Sequence, residues 1–182
     1  VTNRKLTGVF GTDQTGRFPV TSAWGYKYIF ILFDNDTNLI HGVPIKSQKA
    51  GELVRAFKES YDELMRCGFQ PILHQVDNET SAELVKAINA RYRPGTIAGT
   101  RLNGPSNPSK VTSYPFSMAW MPFPPDGWDL LVPQTNLTLN LLRPCHINPL
   151  HSAYSYVYGP FNFDAHPLAP LGCRAIVHNR AV

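Results

Sequence analysis

Apolar residues along this chain fall into strand-like runs, then helix-like periods, with one long stretch that shows neither. Residues 8–14 (GVFGTDQ) predict a short strand ending in Asp13, a turn follows at Gln14-Thr15-Gly16, and Pro19 precedes another extended piece. Tyr26 to Phe33 (YKYIFILF) is the clearest strand, aromatic and β-branched. Its unbroken apolar half predicts burial on both faces. Asp34-Asn35-Asp36 forms a turn and Leu39 to Ile45 (LIHGVPI) returns as a third strand, so these strands predict an antiparallel meander.

Leu53, Phe57, Tyr61 and Leu64 recur at helical spacing, which predicts an amphipathic helix over Ala50–Cys67 with Gly68 as its stop. Pro71 to Val76 (PILHQV) predicts a fourth strand that delivers Asp77, and Thr80-Ser81-Ala82-Glu83 is a capping box for a helix through Ala90. Strand–strand–strand–helix–strand–helix is the order of a mixed α/β sheet with the fourth strand beside the first. From Arg91 to Pro125 no period survives. Asp126 then predicts a capped helix through Arg143 carrying Leu130, Leu131, Leu137, Leu141 and Leu142, kinked at Pro133. Ser152 caps a short tyrosine-rich helix ending at Gly159, and the turn-rich tail holds one candidate strand at 174–178. Three segments result: 1–90, an irregular 91–125, and 126–182.

With 182 residues, 43% of them hydrophobic, the chain can build one core of useful size. Seven of its 16 prolines fall between Pro94 and Pro125, which explains the loss of pattern there. The net charge of +4 fits a polyanionic partner without establishing one. Cys67, Cys145 and Cys173 are odd in number and far apart, which argues against a disulfide framework or structural zinc and for a reducing compartment, nucleus or cytoplasm. No apolar run approaches the roughly 18 residues of a membrane span. No signal peptide is visible, so the sequons at Asn35, Asn78 and Asn136 carry no expectation of glycans, and a start at Val1 suggests a piece of something longer. None of the six histidines forms a ligand-spaced pair; they are expected to be surface or core residues.

The chemistry rests on two aspartates. Asp13 and Asp77 end strand-like runs 64 residues apart, and with the fourth strand beside the first their carboxylates would converge. Paired carboxylates suit a hard divalent cation and phosphodiester chemistry. The same residues also suit simple turn formation, and spacing alone leaves both readings open.

The stretches TDQTGRFPV (12–20), GYKYIFILFDND (25–36) and HQVDNE (74–79) strongly resemble the integrase core of retrotransposon polyproteins. The likeness is to the copia-like group within the retroviral integrase superfamily. Downstream, LLVPQTNLTLNLLRPCHINPLHSAY (130–154) and YGPFNFDAHPLAPLGC (158–173) resemble the segment that closes that core. The resemblance implies an RNase H-like fold, with three antiparallel strands, a parallel strand and flanking helices, here interrupted by the Pro/Gly-rich segment. It further implies polynucleotidyl transfer on DNA, Mg²⁺ as the ancestral cofactor, homo-oligomers, and Asp13 and Asp77 as the first two catalytic, metal-binding carboxylates. Asn78 and Glu79 match neighbours of the second and need not bind metal.

The family's third carboxylate, a Glu within His-Arg-…-Asn-Ala-Ala-Glu-Arg-Ala, is missing. The 42 residues from Leu84 to Pro125 contain no acid at all. A shifted reading frame is the expected account, with a lineage-specific flexible loop as the alternative. Joining the last base of each codon to the first two of the next, Trp120-Met121 forces Asp and Met118-Ala119 forces Gly. Ala119-Trp120 between them allows only Val, Leu or Met. Codon pairs from Thr96-Ile97 to Ser106-Asn107 permit His-Arg-Arg-Asn-Ala-Ala-Glu-Arg-Ala-Ile-Gln, the Glu straddling Leu102 and Asn103. A unit charge pair at about 4 Å is worth about 4 kcal/mol at an effective dielectric of about 20, and more for divalent ions. Loss of the Glu should therefore greatly weaken paired Mg²⁺ binding, and loss of its helix should uncover Tyr28, Phe30 and Leu32. Three readings follow: a degenerate, inactive integrase core; a non-catalytic nucleic-acid-binding or assembly module with Lys86, Arg91, Arg93, Arg101 and Lys110 on phosphates; or a pseudogene product without function.

Overall fold

The computed structural model describes residues 6–76, 81–91, 100–102 and 124–169. β1 (Val9–Gln14), β2 (Tyr28–Asp34) and β3 (Ile40–Ile45) form the predicted antiparallel meander, and β4 (Leu73–Val76) lies parallel to β1. The sheet order is β3-β2-β1-β4-β5. The mixed sheet with its flanking helices is the RNase H-like architecture expected. β5 (Thr100–Leu102), parallel to β4, was not predicted; three residues are too few to show an alternation.

β2 sits between two cores because its successive side chains point to opposite faces. Phe30 and Leu32 pack with Phe10, Val43 and Ile45 against Leu53, Phe57 and Leu64 of α1 (Ala50–Arg66) and Leu84 and Ile88 of α2 (Ala82–Arg91). Ile29 and Ile31 pack with Ile40 against Trp128 and Val132 on the other face. Phe30 and Leu32 are almost wholly buried, so the expectation that this face is uncovered is corrected: α1 itself covers it. Gly68 stops α1 in the left-handed region at φ 84°. At Gly11 an added Cβ would lie 2.2 Å from the Phe33 ring, so only glycine lets that ring cross β1.

The helix expected over 126–143 is two elements: a 3-10 helix Pro125–Leu131 and then α3 (Val132–Leu142). Pro133 therefore stands in the first turn of an α-helix, where its missing N–H costs nothing, rather than kinking a longer one. Asp126 lies inside the 3-10 helix, whose cap position is Pro124, and is not the cap. Ser152 does cap α4 (Ala153–Tyr158), its Oγ accepting from the Ser155 N–H at 3.0 Å. The candidate strand at 174–178 lies outside the described residues.

Of the leucines expected on this helix, Leu131 is buried, at the end of the 3-10 helix. Leu130 and Leu142 are exposed, while Val132, Thr135 and Asn140 are buried. The helix turns amides toward β3, an edge strand that would otherwise present unpaired backbone. Asn140 Oδ1 accepts from the Ile40 N–H at 2.8 Å and its Nδ2 donates to the Ile40 carbonyl at 2.7 Å. Asn136 treats Gly42 the same way, at 2.9 and 3.0 Å. Four residues of helix rise about 6.0 Å, close to the roughly 6.7 Å of two strand residues, so amides one turn apart meet alternate strand positions.

Further along that edge, Pro44 has no N–H and its carbonyl accepts from Arg55, and the Lys46 N–H donates to Glu52. At the other end the Asn38 carbonyl accepts from Arg143 Nε. The outer edge of β3 is thus closed by side chains from residue 38 to 46.

Candidate functional site

β1 and β4 run parallel in register Val9↔Leu73 to Gly11↔Gln75, so their carboxyl ends lie at the same rim of the sheet. Asp13 is half-buried at that rim, near the end of β1. Its Oδ1 accepts the Gln14 N–H at 2.7 Å, a local bond that turns the carboxylate back along the chain. β4 ends at Val76 on the neighbouring strand, one residue before Asp77 in the sequence. Asp77, with Asn78 and Glu79, lies outside the described residues.

Below this rim the two strands are tied by a side-chain bond. His74 Nε2 lies 3.2 Å from Thr12 Oγ1, and the imidazole is buried edge-on against Phe57. Burial pushes the His74 pKa down to about 3. Burial also lowers the pKa of the half-buried His41, opposed by Glu63 and Glu59. His74 is a core residue, one of the two placements expected for the histidines.

The pH dependence has a definite sign. The folded pKa of His74 lies below the unfolded value, so the unfolded chain binds the extra proton between them. This contribution is fully present above about pH 6.5 and is lost as the pH falls toward about 3. His74→Leu is expected to flatten that loss in urea unfolding followed over this range, with a residue of it left from His41. An unchanged slope would remove His74 from the account.

A hard cation needs several oxygen donors. Among the described residues Asp13 is a donor of the right kind, but no group of three or more His, Cys, Asp or Glu is placed to hold a metal. A single carboxylate does not suffice to hold such an ion.

Of the five residues expected on phosphates, Lys86 and Arg91 are described with their side chains. Lys86 is exposed on α2. Arg91, at the end of α2, forms an ion pair with Asp62 and lies 5.6 Å over the Tyr61 ring, so part of its charge is already committed within the fold. Arg101 is in β5 and its side chain is not described; Arg93 and Lys110 lie outside the described residues.

Sequence reasoning missed the hairpin that extends from the Asp13 rim. The Thr15 N–H donates to the Ile29 carbonyl and the Phe18 N–H to the Lys27 carbonyl, carrying Arg17, Lys27 and Trp24 out past β1 and β2. Arg17 and Trp24 are exposed and Lys27 half-buried. The missed signal was compositional: no acid occurs between Gln14 and Phe33.

At the opposite end of β1, Asp36 accepts from Thr7 N, Gly8 N and Thr7 Oγ1, fixing the strand's entry. Asp34 is buried, which raises its pKa despite bonds from Thr37, and it serves the β2–β3 turn. These two carboxylates are structural. Among the described residues no helix is long and apolar enough to cross a membrane.

No known protein family and no curated protein matches the chain by sequence. Among solved structures it is similar to the HTLV-2 integrase catalytic core domain in complex with magnesium, in its trimeric form. That match has a TM-score of 0.54 and 16% identity and covers 82% of this chain and 95% of that one. It is similar also to the catalytic core domain of BIV integrase, with a TM-score of 0.56 at 12% identity over 83% of this chain and 93% of that one. A third likeness is to the simian T-cell lymphotropic virus intasome in complex with PP2A regulatory subunit B56 gamma. Its TM-score is 0.54 at 13% identity, over 94% of this chain and 60% of that one. The chain has the fold of a retroviral integrase catalytic core.

Proposed function

We propose that this chain is the catalytic-core module of a retrotransposon integrase, of copia-like type, that still binds DNA but has lost strand transfer. One observation carries the reading most: Asp13 stands at the carboxyl rim of the strand beside β4, whose sequence runs directly into Asp77. In this fold that is where two carboxylates could share a divalent ion. The integrase-core architecture supports the family, and the quoted motifs support the copia-like group.

The loss of activity is read from charge. Three anionic arms would hold a Mg²⁺ pair, and the acid-free run from Leu84 to Pro125 leaves two. DNA binding needs no such pair. It rests on Lys86, Arg91, Arg93, Arg101 and Lys110, and oligomers of the kind integrases form would multiply the contacts. A net charge of +4 favours retention on a polyanion.

Two measurements test this together. Affinity for duplex DNA is expected to fall steeply between about 50 and 200 mM salt. Strand transfer with Mg²⁺ is expected to match an Asp13→Asn control. Salt-insensitive or absent binding would remove the DNA reading, and transfer well above the control would remove the claim of inactivity.

A further inference from the structure

Trp24 stands at the tip of the β1–β2 hairpin, in a turn built to hold it still. The Gly25 N–H donates to the Ser22 carbonyl at 2.8 Å, the Ser22 N–H to the Tyr26 carbonyl at 2.9 Å, and the Tyr26 N–H to Ser22 Oγ at 3.0 Å. Gly25 takes φ 84°, the left-handed conformation that closes a three-residue hairpin loop. The loop is anchored from the side. The Ala23 N–H donates to the Asp126 carbonyl at 2.7 Å and Trp128 Nε1 to the Val20 carbonyl at 2.9 Å, while the Phe18 ring stacks on Trp128 at 4.2 Å, 9° from parallel.

Two indoles therefore meet at this hairpin with opposite fates. Trp128 is 5% exposed and belongs to the core; Trp24 is 66% exposed. Trp24 makes no ring contact among the described residues, and packing does not explain a large aromatic at a turn position usually left to small polar residues. Around it the hairpin carries Arg17 and Lys27 and no acid, against one exposed acid, Asp126, on the adjoining 3-10 helix.

We propose that Trp24 is a stacking platform for an unpaired base of a DNA strand, with Arg17 and Lys27 facing the phosphates on either side. A flat face on a rigid arm suits any base, and cations without acids suit the backbone. The platform rests on the DNA-binding reading above and adds a location to it. Asp13 pairs with Ile31, and Tyr26 lies five residues before that in β2 and its extension. At about 3.3 Å per residue the tip lies about 16 Å from the Asp13 rim. That is roughly five stacked nucleotides at about 3.4 Å each.

The test uses the whole chain and a fluorescein-labelled oligothymidylate of about twelve nucleotides, a length within the range of single-strand sites. By anisotropy, Trp24→Ala is expected to weaken binding about tenfold and Trp24→Phe to retain most of it, as stacking on an aromatic face requires. Indole emission should be quenched on adding DNA to the parent chain, and most of that quenching should vanish in Trp24→Phe. If Trp24→Ala fails to fold, the Phe variant and the quenching still decide.

Equal affinity of Trp24→Ala and the parent, with DNA binding intact, would overturn the platform alone. So would loss of self-association in sedimentation with DNA affinity unchanged, which would assign the tip to a second copy of the chain. If the parent shows no salt-dependent DNA binding, the DNA reading itself fails and takes the platform with it.

Discussion

Asn140→Ala is expected to lower the unfolding free energy by about 3 kcal/mol, because each buried backbone group left unpaired costs about 1–3 kcal/mol. Asn140 is 6% exposed, and it alone satisfies both the N–H and the carbonyl that Ile40 turns outward from the sheet. Alanine removes both partners from a place water does not reach. Asn140→Asp separates shape from hydrogen bonding. It keeps an acceptor for the Ile40 N–H but sets an oxygen against the Ile40 carbonyl, so it should be at least as damaging. Asn136→Ala, at the less buried Gly42 pair, should cost about 1–2 kcal/mol. Urea unfolding reads these as shifts of midpoint at constant slope. A shift for Asn140→Ala below about 0.5 kcal/mol, the range of ordinary surface changes, would show that α3 does not close the β3 edge. Freed edge backbone also pairs with other chains, so the variant should self-associate more than the parent.

The same edge shows what the sequence could and could not reveal. The meander and α1 were legible because burial imposes a period: two for a strand, 3.6 for a helix. Phe30 and Leu32 on one face of β2, and Ile29 and Ile31 on the other, are the physical content of its unbroken apolar run. α3 misled for the converse reason. Its inward positions satisfy backbone rather than exclude water, so they are polar, and the leucines that drew attention include the exposed Leu130 and Leu142. Asn136 looked like part of a sequon with no meaning. Only a neighbouring strand with outward-turned amide groups gives it one.

The candidate site was half legible. Asp13 stands near the strand end that the sequence indicated, and the parallel pairing of β1 with β4 bears out the expected neighbourhood of the two strands. Trp24 and its hairpin were not found, because an exposed aromatic in a turn has no period to betray it. The phosphate contacts were chosen for lacking acids nearby in the sequence, and for Arg91 that misses Asp62, which the fold brings to it from α1.

If a shifted frame removed the third carboxylate, restoring the offset frame between Thr96 and Met121 is expected to give Mg²⁺-dependent strand transfer above the level of the parent chain. One base inserted before the coding segment and one removed after it would replace the acid-free run with His-Arg-Arg-Asn-Ala-Ala-Glu-Arg-Ala-Ile-Gln and the forced Gly-X-Asp beyond it. The new Glu would supply a third anionic arm. Against a divalent ion, the about 4 kcal/mol of a unit pair roughly doubles before desolvation offsets part of it. Even about 3 kcal/mol recovered in the transition state is more than a hundredfold in rate. Strand transfer in Mg²⁺ should therefore rise at least about a hundredfold over the parent chain. Asp13→Asn in the restored chain should return it to background, which ties the gain to a shared metal rather than to better folding. A restored chain that binds DNA and stays inactive would break the link between the missing carboxylate and the proposed loss of activity. If the coding bases of this segment do not encode the motif in the offset frame, the frameshift account fails before any protein is made.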